Sequence, residues 1–228
     1  MNNSVNGKME LSDKQMEQLR EIELDILREF IYVCEQLELQ YFVVQGTLLG
    51  AVRHSGFIPW DDDIDVGMMR KDFDRFIKKG QEIMSPQYFI QSHETDPEYP
   101  QGFAKIRKND TTFLETTCKD LKMNHGIYID VFPFDYYPNG YLKRMVFDTK
   151  KFLLRYRIRC SLFDPADYRH TPGNFLRRLL KKISKFFFPS IEEAREKQWN
   201  LYKSISEGSF CINNGSPWGK RECIPAEW

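Results

Sequence analysis

Residues 46–65 read GTLLGAVRHSGFIPWDDDID, and the reading of this stretch decides the fold. It opens on a Gly-Thr pair and closes on Asp61, Asp62, Asp63 and Asp65. Adjacent carboxylates repel one another, so such a cluster persists only where solvent, hydrogen-bond donors or a cation offsets the repulsion. If Asp63-Ile64-Asp65-Val66 starts a strand, period-two alternation sends Asp63 and Asp65 to one face and Ile64 and Val66 to the other, into a core. Two parallel carboxylates are hard-oxygen ligands suited to Mg²⁺ or Mn²⁺. The run His125-Gly126-Ile127-Tyr128-Ile129-Asp130-Val131 supplies a third acid, Asp130, within an apolar strand. A buried carboxylate there is costly unless paired or metal-bound.

Upstream, Tyr41-Phe42-Val43-Val44-Gln45 is a short run of β-forming residues and reads as a buried strand. Gly46 ends it, Thr47 is placed to cap a short helix over 48–54, and Ser55-Gly56 closes that helix. A glycine between strand and helix lets a phosphate approach the backbone, and the helix N-terminus offers free N–H groups and a positive dipole end. Strand, Gly-Thr, helix, Asp-x-Asp strand and a later single Asp follow one another in the order of the nucleotidyltransferase fold. The competing reading of Asp61–Asp65 is a solvated acidic turn with helix-capping duty. A calcium loop fits badly, because positions six and twelve counted from Asp61 are Val66 and Asp72 in place of glycine and glutamate.

The rest of the chain sets the frame. Its 228 residues, 41% apolar, suit one large domain or one domain with an added lobe. A formal net charge of zero argues against a general polyanion binder. The longest apolar runs, such as Phe186-Phe187-Phe188, are too short for a transmembrane helix. MNNSVNGKMELSDKQ lacks the apolar core of a signal peptide, so a cytoplasmic location is expected. Five widely spaced cysteines without a C-x-x-C read as reduced, mostly buried thiols. Residues 1–10 read as a loose tail. A helix begins at Ser12, with Gln15 completing a capping box and Leu11 and Met16 in staple positions, and runs to about Leu37. A helix over 70–84 and strands at 64–68, 88–91, 103–107, 111–115 and 127–132 complete a mixed α+β core over 11–138, a sheet flanked by helices. From Lys143 to Lys185, thirteen basic residues stand against three acids, a net +10 that leaves −10 for the remainder. Helices at about 140–161, 173–187 and 190–206 make residues 139–228 a mainly helical, basic lobe.

The string GTLLGAVRHSGFIPWDDDIDVGMMRKDFDRF resembles the signature of the LicD family, and the resemblance continues through Phe103–Arg107, Ile127–Pro133 and Glu222–Pro225. It implies a nucleotidyltransferase-like fold. It also implies transfer of a phospho-alcohol from a CDP-activated donor to a glycan hydroxyl, as in bacterial phosphorylcholine transferases and the similar fukutin-type ribitol-phosphate transferases. The reaction implied is CDP-choline plus a sugar hydroxyl giving a phosphocholine-sugar and CMP. Ribitol or glycerol phosphate from a CDP donor is the alternative, as is a protein that binds nucleotide without turnover. The family's tyrosine-glycine segment with following prolines does not follow Glu222 here, and a shortened C-terminus is expected.

On this reading Asp63, Asp65 and Asp130 are the catalytic carboxylates and hold Mg²⁺ or Mn²⁺, with Asp62 behind them and Asp61 capping or orienting. Gly46 and Thr47 face the phosphates. Arg53 and His54, inside the motif, are candidate phosphate ligands, as are Lys105 and Arg107, which share a strand face and suit a clamp. His125 is a candidate base or a turn residue. Trp60, Tyr99, Tyr136 and Tyr137 are candidates for the choline ammonium. The basic lobe, with interleaved apolar residues, fits peripheral contact with an anionic membrane at its inner face and a glycan or lipid-linked glycan acceptor. No nucleic-acid fold signature accompanies it.

Overall fold

Ser12 sets the start of the first long helix. The computed structural model describes residues 4–5, 8–9, 11–162, 186, 190–213 and 223–226. In it the Gln15 side chain accepts the Ser12 N–H at 3.0 Å while the Ser12 hydroxyl accepts the Gln15 N–H at 3.4 Å. This is the expected capping box, and it launches α1 (Asp13–Gln36). The helix buries Leu19, Ile26, Phe30, Val33 and Cys34 along one stripe. Phe30 meets Phe76 edge to face at 5.3 Å. Ahead of α1, where a loose tail was expected, β1 (Ser4–Val5) and β2 (Lys8–Met9) pair antiparallel.

The chain divides into two compact units, Met1–Phe134 and Asp135–Trp228. The first holds β3 (Phe42–Val43), α2 (Gln45–His54), β4 (Asp65–Met69), α3 (Arg70–Ile83), β5 (Tyr88–Gln91) and β6 (Ala104–Lys108), and β7 (Tyr128–Tyr137) begins in it. The sheet order is β3-β4-β7-β6-β5. The β4–β7 pair is parallel, and the other neighbours are antiparallel. The register places Asp65 opposite Asp130, Asp130 opposite Lys105, and Lys105 opposite Gln91. Four polar side chains therefore form one row across four strands. The alternate face carries Val66, Val131, Ile129, Ile106 and Ile90, each at most 1% exposed. Helix α3 packs against β4 and β5, and α1 against α3 and β6. Burying each such side chain stabilises the fold by roughly 1.5–3 kcal/mol.

Two expectations are corrected. Residues 111–115 form no strand. Their segment runs beside 125–127 through isolated bonds, Phe113 N–H to the His125 carbonyl at 2.7 Å and Ile127 N–H to the Thr111 hydroxyl at 2.9 Å. The second concerns the turn after β3. Helix α2 begins at Gln45, so Gly46 and Thr47 lie inside its first turn and Val44 is the N-cap without a side-chain bond. Gln45 itself makes the reversal, with φ at +48°. A non-glycine residue in this left-handed region costs roughly 1–2 kcal/mol.

The second unit contains α4 (Tyr141–Leu162), α5 (Ile191–Lys203), β8 (Phe210–Asn213) and β9 (Cys223–Pro225), the last two paired antiparallel. Ser190 caps α5 by accepting the Glu193 N–H at 2.9 Å. Leu154, Ile158 and Ala194 pack between α4 and α5. Tyr137, Phe147, Tyr202 and Ile212 form a further cluster. The helix expected at 173–187 lies outside the described residues save Phe186, as does most of the basic segment beyond Leu162. No helix among the described residues is long and apolar enough to cross a membrane. Cys34, Cys118 and Cys211 are buried free thiols, and burial pushes Cys34 up to about 12.

Candidate active site

Strands β4 and β7 run parallel, so the paired positions Asp65 and Asp130 project side by side. Asp63, two residues before Asp65, joins them from the incoming loop. One carboxylate oxygen from each of Asp63, Asp65 and Asp130 lies within 4.8 Å of the other two. Ile64, between the two aspartates, is 2% exposed and faces the core, as alternation requires. The Thr47 hydroxyl accepts the Asp65 N–H at 2.8 Å, and the Asp65 carbonyl accepts the Val44 N–H at 3.1 Å. Thr47 and Val44 thus fix the backbone of Asp65; Thr47 does not cap the helix. Gly46 has a related task. A Cβ there would lie 2.2 Å from an Asp61 carboxylate oxygen, so the slot beside the first turn of α2 belongs to Asp61. At Gly50 a Cβ would lie 2.4 Å from the Gly56 carbonyl oxygen. Both glycines let α2 and the loop leading to the aspartates lie close together.

Burial and mutual repulsion set the electrostatics of this arrangement. Burial, then the charges of Asp63 and Asp130, pushes Asp65 up to about 9. Burial, then Asp130 and the loop aspartates, pushes Asp63 up to about 7. Asp130 is raised by burial, and Lys105 counters the shift. Lys105 donates to Asp130 at 2.8 Å, lies 3.4 Å from Glu115, and sits 3.2 Å over the Tyr128 ring. One lysine shared with Glu115 does not balance three converging acids. A divalent cation would.

The other sequence candidates divide. Lys105 is at the site, but buried and engaged with Asp130, so it orients a carboxylate. Arg107 is 0% exposed and its fork is committed to Gln91 at 2.7 Å, the Gly126 carbonyl at 2.7 Å and Glu115 at 3.1 Å. It is a core brace, which corrects its assignment as a phosphate clamp. Arg53 and His54 are exposed in the last turn of α2. They stand about 10 Å along the axis from Gly46, at the negative end of the helix dipole, so they do not share an anion site with its first turn. His125 donates from Nε2 to the Leu121 carbonyl, 3.0 Å away, as a turn residue does. Tyr99 and Tyr137 are core residues, Tyr136 is half-buried and Trp60 is exposed.

Three residues at or near the site escaped the sequence reading. Glu115 links Lys105 to Arg107. Arg20 on α1 donates to the carbonyls of Ile58, Pro59 and Asp61 at 2.8, 2.8 and 3.1 Å. Glu23, one turn further on, is 1% exposed, and burial together with the Asp63 and Asp62 charges pushes it up to about 9. Its position within the stripe between Leu19 and Ile26 was the available signal: an acid at a core position of an amphipathic helix.

A strand-helix-strand unit and the parallel strand β7, which together bring the buried Asp65 and Asp130 and the half-buried Asp63 beside a glycine-bearing first helical turn, define a mixed α and β protein with an acidic centre fit for a hard cation. The chain belongs to the LicD family. The family model described as LicD/FKTN/FKRP, nucleotidyltransferase domain, matches residues 38–170. The lipopolysaccharide cholinephosphotransferase LicD of Haemophilus influenzae is 30% identical over 171 residues, 75% of this chain and 62% of that protein. An uncharacterised Rickettsia prowazekii protein, RP689, is 32% identical over 109 residues, 45% of this chain and 35% of that one. The ribitol 5-phosphate transferase FKRP of Mus musculus is 42% identical over 45 residues, 20% of this chain and 9% of the mouse protein. The chain therefore spans about three-fifths of the Haemophilus protein and less of the others.

Proposed function

We propose that this protein transfers phosphocholine from CDP-choline to a hydroxyl of a cell-surface glycan or its lipid-linked precursor, with Mg²⁺ or Mn²⁺ as cofactor. The observation that carries the reading is the convergence of Asp63, Asp65 and Asp130 within 4.8 Å. The donor set fits such an ion: oxygen ligands only, two buried and one half-buried, and mutually repelling without one. When bound, the ion would neutralise phosphate oxygens and stabilise the departing CMP. Thr47 sets the backbone of Asp65, and Lys105 fixes the rotamer of Asp130. The similarity to the Haemophilus cholinephosphotransferase supports the choice of choline.

The short, higher-identity match to FKRP favours ribitol phosphate as the second reading. Neither the triad nor its register distinguishes head groups. Helix α4 supports contact with a membrane-borne acceptor. Tyr141, Leu142, Met145, Val146 and Phe152 are exposed along it, beside exposed Lys143, Lys150 and Arg159.

The test is CMP release with Mg²⁺ from CDP-choline, CDP-ribitol and CDP-glycerol, with a thermal-shift panel of the same compounds. A ligand that binds only the native state raises the melting temperature by mass action. CDP-choline should give the largest shift and the fastest release. A larger response to CDP-ribitol would transfer the assignment to the second reading. Absence of a shift with every CDP-alcohol would overturn both.

A further inference from the structure

Lys105 and Arg107 stand two residues apart on β6, so their side chains leave the same face of the strand. They are 2% and 0% exposed. Two like charges held side by side away from water repel, and each requires an acid. Asp130 meets Lys105, with Oδ1 at 2.8 Å from Nζ. Glu115 meets both cations: its Oε1 lies 3.4 Å from Lys105 Nζ and its Oε2 lies 3.1 Å from Arg107 Nη2. The Tyr128 ring lies against the same pair, its centroid 3.2 Å from Lys105 Nζ and 4.6 Å from Arg107 Cζ, and adds no net charge. The charges of Lys105, Arg107, Glu115 and Asp130 therefore sum to zero. Asp130 belongs both to this quartet and to the acidic centre. What remains at the centre is the charge of Asp63 and Asp65, which a divalent cation matches.

We infer that Glu115 is a positioning residue of the acidic centre: it balances the Lys105–Arg107 pair, so that Asp130 is free to accept a divalent cation. The inference rests on the reading of Asp63, Asp65 and Asp130 as a cation centre. Without the Glu115 charge the quartet is left with a net positive charge beside the three aspartates, and Lys105 has Asp130 as its acid. Both changes oppose an incoming cation, and buried charges such as these are little screened by salt. Glu115 acts from outside the sheet, in the segment that follows β6, and reaches the centre through the Lys105 ammonium.

The experiment is calorimetric titration of the whole chain with Mn²⁺ alone at pH 8, with urea unfolding of each variant in EDTA to register folding separately from ion binding. Glu115→Gln keeps the side-chain shape and removes the charge, and its Mn²⁺ affinity should fall at least about tenfold, the loss typical of a partner one step removed from the ion. Glu115→Asp keeps the charge and should recover most of that loss. The double variant Glu115→Gln/Arg107→Gln removes one charge of each sign. It should be less stable than Glu115→Gln yet bind Mn²⁺ more tightly, an opposition that a purely structural Glu115 would not produce. A Glu115→Gln protein that is less stable but binds Mn²⁺ as the wild type does would overturn the inference and leave the triad reading standing. Equal losses in Glu115→Gln and Glu115→Asp would overturn it too, as would a Glu115→Gln chain that does not fold, since the residue would then be structural. A wild type that binds no ion would overturn the triad reading and this inference with it.

Discussion

Replacing Asp65 by asparagine should stabilise the ion-free protein while abolishing its response to divalent ions. Burial and the charges of Asp63 and Asp130 raise the folded-state carboxyl from 3.8 to about 9. Between about pH 4 and pH 9 the folded chain therefore holds a proton that the unfolded chain has released, and stability falls as pH rises through that window. At pH 7 the mismatch is about three pH units; at about 1.36 kcal/mol per unit this costs on the order of 4 kcal/mol. Structural relaxation and water entry reduce it, leaving about 2–4 kcal/mol. Asparagine has nearly the same shape and no charge in either state, and the bond from the residue-65 N–H to Thr47 survives. Urea unfolding in EDTA at pH 4.5, 7 and 8.5 should show the mutant ahead by that amount at pH 7, by more at pH 8.5 and by little at pH 4.5. Added Mn²⁺ should reverse the order, because only the wild type gains by mass action. A mutant less stable than wild type at pH 7 without metal, or equally stabilised by Mn²⁺, would refute the reasoning.

Thr47→Val removes the acceptor of the Asp65 N–H and should cost about 1–3 kcal/mol in urea unfolding, with Thr47→Ser restoring most of it. Gly46→Ala places a Cβ on the Asp61 carboxylate, so Asp61 must swing away. Stability should change by less than about 1 kcal/mol, since alanine favours the helix, while Mn²⁺ titration shows weaker binding. Arg107→Lys loses the fork that holds Gln91, Gly126 and Glu115 together, and scanning calorimetry should register a loss of about 3 kcal/mol. An unchanged melting temperature would show that Arg107 is no brace.

The legible part of the site is the part written in local pattern. Alternation across Asp63–Val66 announced which residues face the core, and the capping box at Ser12 and Gln15 announced where α1 begins. Asp130 was visible because a lone acid in an apolar strand is costly unless a partner or an ion holds it. The hidden part depends on which elements meet. Glu23 and Arg20 precede the aspartates by about forty residues, and nothing local says that α1 reaches the loop. Lys105 and Arg107 share a strand face, as read, but a strand face does not reveal what covers it. Glu115, in a segment expected as strand, meets both cations from outside the ladder. Gly46-Thr47 was noticed for the right reason, close approach of backbone, yet the groups that approach are Asp61 and Asp65.

The row of Asp65, Asp130, Lys105 and Gln91 across four strands has a consequence for how the chain reaches its native state. Slipping β4 by one residue against β7 would bring Ile64 or Val66 opposite Asp130 and turn Asp65 toward the apolar side. Such a misaligned sheet could still bury much of its surface, but it would lose the paired acids. Any ligand that requires both carboxylates therefore binds only the correctly threaded chain. It acts as a proofreader of assembly, drawing the population toward the one alignment that can hold it.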